Sequence, residues 1–333
     1  MTNAPISYPV LCCGLALAVI IATIASLMMG PAAAGLGALF GSLTGGDADT
    51  AVLIMREIRL PRALLAILVG GSLGLAGAAL QGFLRNPLAE PGVIGVSGAA
   101  SLGAVIALYF GLSTVFGLAL PLMAIVGALI AAAILHVLAG RQSVLTLILA
   151  GVALSSLTGA LTALALNLSP NPFAAFEIIF WMLGSLSDRS MTHVHLAAPF
   201  ILAGWVMLLL VAPSLDALSL GEDTATSMGV NLSRTRIAVI GGTALCVGAA
   251  TAVSGVIGFV GLVVPHLLRS FVGHKPSRLL PVSALGGALV LLIADILVRL
   301  ITPGTELKLG VVTALVGAPF FLWLVLKSRS TPR

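Results

Sequence analysis

A chain of 333 residues that is 59% hydrophobic and 8% charged, with a mean hydropathy of +1.18, is too apolar to remain dispersed in water. Its apolar runs are close to 20 residues long, the signature of a polytopic helical membrane protein, whereas a β-barrel would show short alternating segments. The net charge of +5 is spread singly between those runs, so topology accounts for it and a nucleic-acid partner does not.

The predicted elements are ten spans within one transmembrane domain covering residues 1–333, an all-α polytopic architecture. The first span is near 9–29, and with no Lys or Arg ahead of it this segment reads as a membrane helix and not as a cleaved leader. A polar, Gly-rich stretch carrying Asp47, Asp49, Arg56, Arg59 and Arg62 leads to the second span, near 63–83. Then comes a polar turn, Arg85-Asn86-Pro87-Leu88-Ala89-Glu90-Pro91-Gly92. Its backbone cannot face lipid unpaired, so it lies at a membrane surface or lines a watery path inside protein. The third and fourth spans are near 93–110 and 115–138, and the fifth, near 144–166, follows the break Gly140-Arg141-Gln142-Ser143. Asn167 to Pro172 is a stop, and the aromatic helix after it, 173–184 with Phe176, Phe180 and Trp181, is too short to span. The sixth span is near 192–212, a polar island occupies 214–236, and the seventh to tenth spans are near 237–254, 257–272, 281–299 and 309–326.

An even number of spans puts both termini on one side. That side carries Arg85, Arg141, Arg234, Arg236, Arg269, Lys275, Arg278, Lys327, Arg329 and Arg333, against Arg56, Arg59, Arg62, Arg189, Arg299 and Lys308 on the other. Ten against six places both termini, and the turn at 85–92, in the cytoplasm. Arg56, Arg59, Arg62 and Arg299 are then outer-face cations that oppose the topology signal. Two readings are open for them: docking of an acidic partner protein, or simple snorkelling, with an i,i+4 pair to Asp295 for Arg299.

The island Leu220-Gly221-Glu222-Asp223-Thr224-Ala225-Thr226-Ser227-Met228-Gly229 has acidic residues at the start of a short helix and Gly229 at its end. Leu220, Ala225 and Met228 are expected to form one apolar face for a groove on a soluble partner, the alternative being an ordinary connecting loop. Gly70, Gly74 and Gly77, and Gly255, Gly258 and Gly261, have the spacing of close helix contacts. His266 reads as structural, and Cys12, Cys13 and Cys246 read as packing residues with neither metal nor disulfide spacing. No phosphate-binding G-x-x-x-x-G-K-[ST] loop, zinc-protease motif or nucleophile elbow is present, so neither an enzyme nor ATP binding is expected of this chain. Asp295 is the nearest candidate for an intramembrane ionisable group, too little for a proton relay, which argues for an external energy source.

Several separate motifs together closely resemble the FecCD-type permeases, the membrane subunits of bacterial ABC importers for heme, ferric siderophores and cobalamin. They are Arg59-Leu60-Pro61-Arg62, Gly77-Ala78-Ala79-Leu80-Gln81, the turn at 85–92 running into Gly95-Val96-Ser97-Gly98, Leu149 to Leu154, Gly258 to His266, Gly310 to Ala314 and Gly317-Ala318-Pro319. The resemblance implies a type II ABC importer permease fold in the bacterial inner membrane. The implied partners are a second copy of the chain, two cytoplasmic ATP-binding subunits that hold the ATP-Mg, and a periplasmic substrate-binding protein. It implies that Arg59, Arg62 and Arg299 receive acidic residues of the binding protein and that 221–229 sits on the ATPase. It makes Asn86, Pro87 and Leu88 one cytoplasmic gate, Ser143 and Val144 a second, and 173–184 a helix shaping the outer path. The substrate expected is an iron complex, with cobalamin as the alternative. An ATP-independent secondary transporter is the competing class.

Overall fold

The computed structural model describes residues 7–30, 50–139, 144–301 and 307–329, and all regular structure among them is helical. Helix α1 (Tyr8–Met28) has proline in its first turn, where a missing N–H costs nothing. Helix α2 (Thr50–Phe83) passes through a π-helical turn at Met55–Arg59. The stretch at 56–62, expected as a polar segment ahead of the second span, is therefore part of its helix. Val52, Met55 and Leu60 carry an apolar face past the arginines, and Met55 is fully buried against Leu27 and Ala63.

Helix α3 (Val96–Tyr109) is followed by α4 (Ala119–Ala139) and α5 (Val144–Asn167). In α6 (Pro172–Met182), Asn171 caps the first turn by accepting from the Ala174 N–H at 2.9 Å. Helix α7 (Met191–Leu210) opens on a reciprocal Ser190–His193 cap. Two short helices, α8 (Ala212–Leu218) and α9 (Glu222–Ser227), precede α10 (Leu232–Ser254), which Asn231 caps. Then come α11 (Val260–Arg269), α12 (Pro276–Ile301) and α13 (Leu309–Arg329). Seven of these, α1, α2, α4, α5, α7, α10 and α12, are long and apolar enough to cross a membrane.

Two expected spans come out shorter. At about 1.5 Å per residue, the 14 residues of α3 and the 10 of α11 fall well below a hydrocarbon layer of about 30 Å. Irregular segments at 84–95 and 255–259 precede them. The ninth expected span begins earlier, at Pro276, with Pro281 inside the helix in its second turn.

The centre of the molecule is α2, 83% of whose apolar window is buried, beside α10 at 78%; α1, at 22%, is peripheral. α2 packs along α12, α3 against α4, and α10 against α4 and α7, while α11 wedges between α2 and α12. The α2–α12 crossing is made by Gly70 and Gly74 against Gly287 and Ser283, where an added Cβ would run into the facing backbone oxygens. Gly77 meets Gly261 of α11 in the same way.

Candidate transport and coupling sites

Arg59 and Arg299, expected on the outer face, are drawn inward around the end of α1. Arg59, 4% exposed, donates from Nη1 to the carbonyls of Leu27 at 2.8 Å and Met28 at 3.2 Å. Arg299 donates to Ser26 O at 2.9 Å, Met29 O at 3.0 Å and Ser26 Oγ at 2.6 Å. A helix C-terminus leaves its last carbonyls unpaired and carries the negative end of the macrodipole, so two guanidinium groups are well matched to it. Asp295, with its side chain 1% exposed, sits behind them: it accepts from Arg62 Nε at 2.9 and 3.1 Å and pairs with Arg299 at 3.0 Å. Two guanidinium groups thus share one carboxylate, and Arg59 adds a third positive charge at the same helix end. Arg56 points away, 62% exposed beside Glu57. The π turn separates it from Arg59, because an i→i+5 turn spreads residues three apart further round the axis than an α turn does.

The polar turn is internally bonded. Arg85 has φ +48°, Asn86 Oδ1 accepts from Leu88 N at 2.9 Å, Ala89 N donates to Asn86 O, Val93 N to Glu90 O and Gly95 N to Gly92 O. Asn86 and Pro87 are exposed and Leu88 half-buried, whereas Ala89, Pro91 and Ile94 are buried. Glu90 Oε1 accepts from the N–H of Phe259, the residue that opens α11, at 2.6 Å. Gln81 lies within 3.4 Å of Ala89 O and Leu262 O through its amide nitrogen and accepts from Arg269 through its oxygen. These bonds answer the accounting that irregular buried backbone demands.

On the exposed side of the turn, Arg85 pairs with Glu222 in the first turn of α9 at 3.2 Å. Gly221 and Gly229 flank α9 with φ of +108° and +86°. Ala225 is buried while Leu220 and Met228 are 63% and 62% exposed, so the three do not share a face as expected. Ala225 anchors α9, and the two larger residues stand out on either side. Asp223 is exposed. Upstream, Asp216 of α8 accepts from Ser277 N at 2.8 Å and pairs with Lys275 at 3.6 Å, fixing α8 to the start of α12.

Ser143 lies outside the described residues, and Val144 is described only as the first residue of α5. The ring of His266 stacks edge-on to Phe320 at 6.2 Å. All three cysteines are free, and no metal-holding group of side chains occurs among the described residues.

The model of the FecCD transport family matches residues 18–327. The chain belongs to the FecCD transport family. This FecCD chain is 41% identical to the Fe(3+) dicitrate transport system permease protein FecD of Escherichia coli over 83% of its own length and 86% of the relative's. It is 44% identical to the vitamin B12 import system permease protein BtuC of Vibrio cholerae, with 83% of each covered. To the hemin transport system permease protein HmuU of Yersinia pestis it is 40% identical, covering 83% of itself and 84% of the relative. A solved, inward-facing structure of a transporter assigned to the metal-chelate ABC type superposes with a TM-score of 0.86 at 33% identity, covering 96% of this chain and 99% of that one. The all-helical, multi-pass membrane fold is the family's own.

Four residues of this FecCD chain gained roles that sequence reasoning did not assign: Gln81, Asp216, Phe259 and Arg269. Each is a lone polar, charged or aromatic residue whose partner is far away in sequence. The one legible signal of this kind was Asp295, placed one helical turn before Arg299.

Proposed function

We propose that the chain is the membrane-spanning permease subunit of an ATP-driven importer that moves an iron complex, heme or a ferric siderophore, from periplasm to cytoplasm by alternating access. The observation that carries this is the seating of α9. An exposed short helix with an acidic first turn and protruding Leu220 and Met228 is joined by the Arg85–Glu222 pair directly to the turn at 85–92. Two large apolar side chains beside an acidic first turn suit a groove on a soluble partner. In this reading two ATP-binding subunits hold ATP-Mg and engage Gly221 to Gly229 from the cytoplasm, where both termini lie. A second copy of the chain completes the path, and Asn86, Pro87 and Leu88 close it at the cytoplasmic end, with Ser143 and Val144 as a second gate.

On the outer face the reading gives Arg56 direct contact with an acidic binding protein. Arg59, Arg62 and Arg299, outnumbering Asp295 three to one, supply the positive field that steers it. Ten crossings fit if α3 and α11 complete their spans with the irregular segments before them and the 21 residues of α13 cross as well. Iron citrate and hemin relatives favour an iron complex, and the BtuC relative keeps cobalamin as the second reading.

The test is reconstitution. The chain is co-expressed with its neighbouring ATPase, purified and placed in liposomes, and uptake of radiolabelled ferric dicitrate, hemin and cyanocobalamin is measured with and without internal ATP. ATP-dependent uptake of one iron complex supports the proposal. Uptake that persists without ATP, or absence of a co-purifying ATPase, overturns it.

A further inference from the structure

The turn at 85–92 has a charged residue towards each end, and the two reach different elements. Arg85 reaches α9 and Glu90 reaches α11. Between them the backbone is braced by the Asn86 side chain and by successive turn bonds, and residues 89–91 are wedged against α11, with Pro91 packed on Gly261. A segment bonded in this way moves as a unit.

The far contact is an unusual one. Phe259 adopts φ +68°, a left-handed conformation that costs an aromatic residue energy unless its surroundings impose it. Two neighbours do so here: the Glu90 carboxylate on its N–H at 2.6 Å, and Gly317 of α13, whose missing side chain admits the Phe259 ring. The carboxylate also faces the positive end of the α11 dipole, which makes the bond charge-assisted and short. Where Glu90 goes, the first turn of α11 is bound to follow, and the non-helical stretch at 255–259 behind it supplies the hinge.

We propose that Glu90 is the positioning residue that carries movement of the ATPase-facing helix α9, through the rigid turn, to α11. The inference rests on the proposed role of α9.

The test uses the permease–ATPase complex in lipid nanodiscs. Hydrogen exchange of the α11 amides is followed with and without ATP plus vanadate, beside ATP hydrolysis, for the parent, Glu90→Ala and Glu90→Gln. The glutamine retains an oxygen acceptor for the Phe259 N–H. Expected is a nucleotide-dependent change of α11 exchange in the parent and in Glu90→Gln. The change should be lost in Glu90→Ala, with hydrolysis within about twofold of the parent. A purely structural role would raise exchange equally in both nucleotide states and leave the difference intact; that result overturns the proposal.

If Glu90→Ala does not fold, the opposite end decides. Arg85→Glu should diminish the nucleotide-dependent change and Arg85→Glu with Glu222→Arg should restore it, whereas an unaltered change in Arg85→Glu overturns the proposal. No co-purifying ATPase with the parent would instead sink the importer reading and this inference with it, a result distinct from a parent that responds alongside an Ala variant that also responds in full.

Discussion

Replacing Asp295 by Asn keeps the shape of the side chain and removes its charge. In the native cluster the carboxylate offsets one of three guanidinium groups, so the substitution raises the local excess from two positive charges to three. Removing one member of a buried ion pair costs about 3–5 kcal/mol, because the partner stays behind without compensation. Two features pull the figure to the lower end. Arg62 and Arg299 retain 13% and 11% side-chain exposure, so some water reaches them, and the amide oxygen of Asn still accepts one bond. The expected cost is therefore about 3 kcal/mol. Equilibrium unfolding in mixed detergent micelles, titrated with a denaturing detergent, reads it directly. Hydrogen exchange at Ser26 to Met29 should rise in parallel, since Arg299 would hold the end of α1 less firmly. A cost below about 1 kcal/mol, the range of an exposed pair, would refute the claim that this carboxylate works in a water-poor setting.

Other predictions follow from the same geometry. Arg56→Glu should reduce stimulation of ATPase by the binding protein with little change in unfolding, whereas Arg59→Glu, which strips two bonds from the end of α1, should destabilise the chain by about 2–4 kcal/mol in the same titration. Gly74→Ala drives a methyl group into Ser283 O and should cost about 1–3 kcal/mol or abolish folded yield, while Gly92→Ala, facing open space, should stay within about 0.5 kcal/mol of the parent. Ser72→Ala removes the acceptor of the Trp205 indole N–H at 3.0 Å and should cost about 1 kcal/mol, with a shift in tryptophan emission. Leu220→Asp with Met228→Asp should abolish ATPase co-purification and leave unfolding unchanged, since both side chains are exposed.

The long apolar helices were legible because their length and hydropathy leave few alternatives, and α6 was legible from its aromatic residues after the stop at Asn167 to Pro172. The turn at 85–92 stood out because polar residues and two prolines interrupt apolar sequence. What could not be read was direction. Arg59 and Arg56 look alike in sequence, yet one is buried against carbonyls and the other faces out, because a π turn lies between them. Ala225 looked like part of an exposed face and turned inward, since a six-residue helix is too short for periodicity to define a face. The shortness of α3 was hidden because the irregular residues in front of it, such as Val93 and Ile94, are as apolar as the helix, whereas the glycines at 255, 258 and 261 already marked the eighth span as short.

The bond between Arg62 and Asp295 joins positions 233 residues apart. During synthesis α2 enters the bilayer long before α12 exists, with an arginine lacking its counter-ion and a glycine-lined flank lacking its neighbour. Only when α12 arrives are both needs met at once, by Asp295 near its end and by Ser283 and Gly287 along its middle. Maturation of this chain is therefore gated by its penultimate long helix. A nascent chain arrested before that point presents an unneutralised cation and a cleft of small residues, the kind of surface that membrane chaperones and proteases recognise.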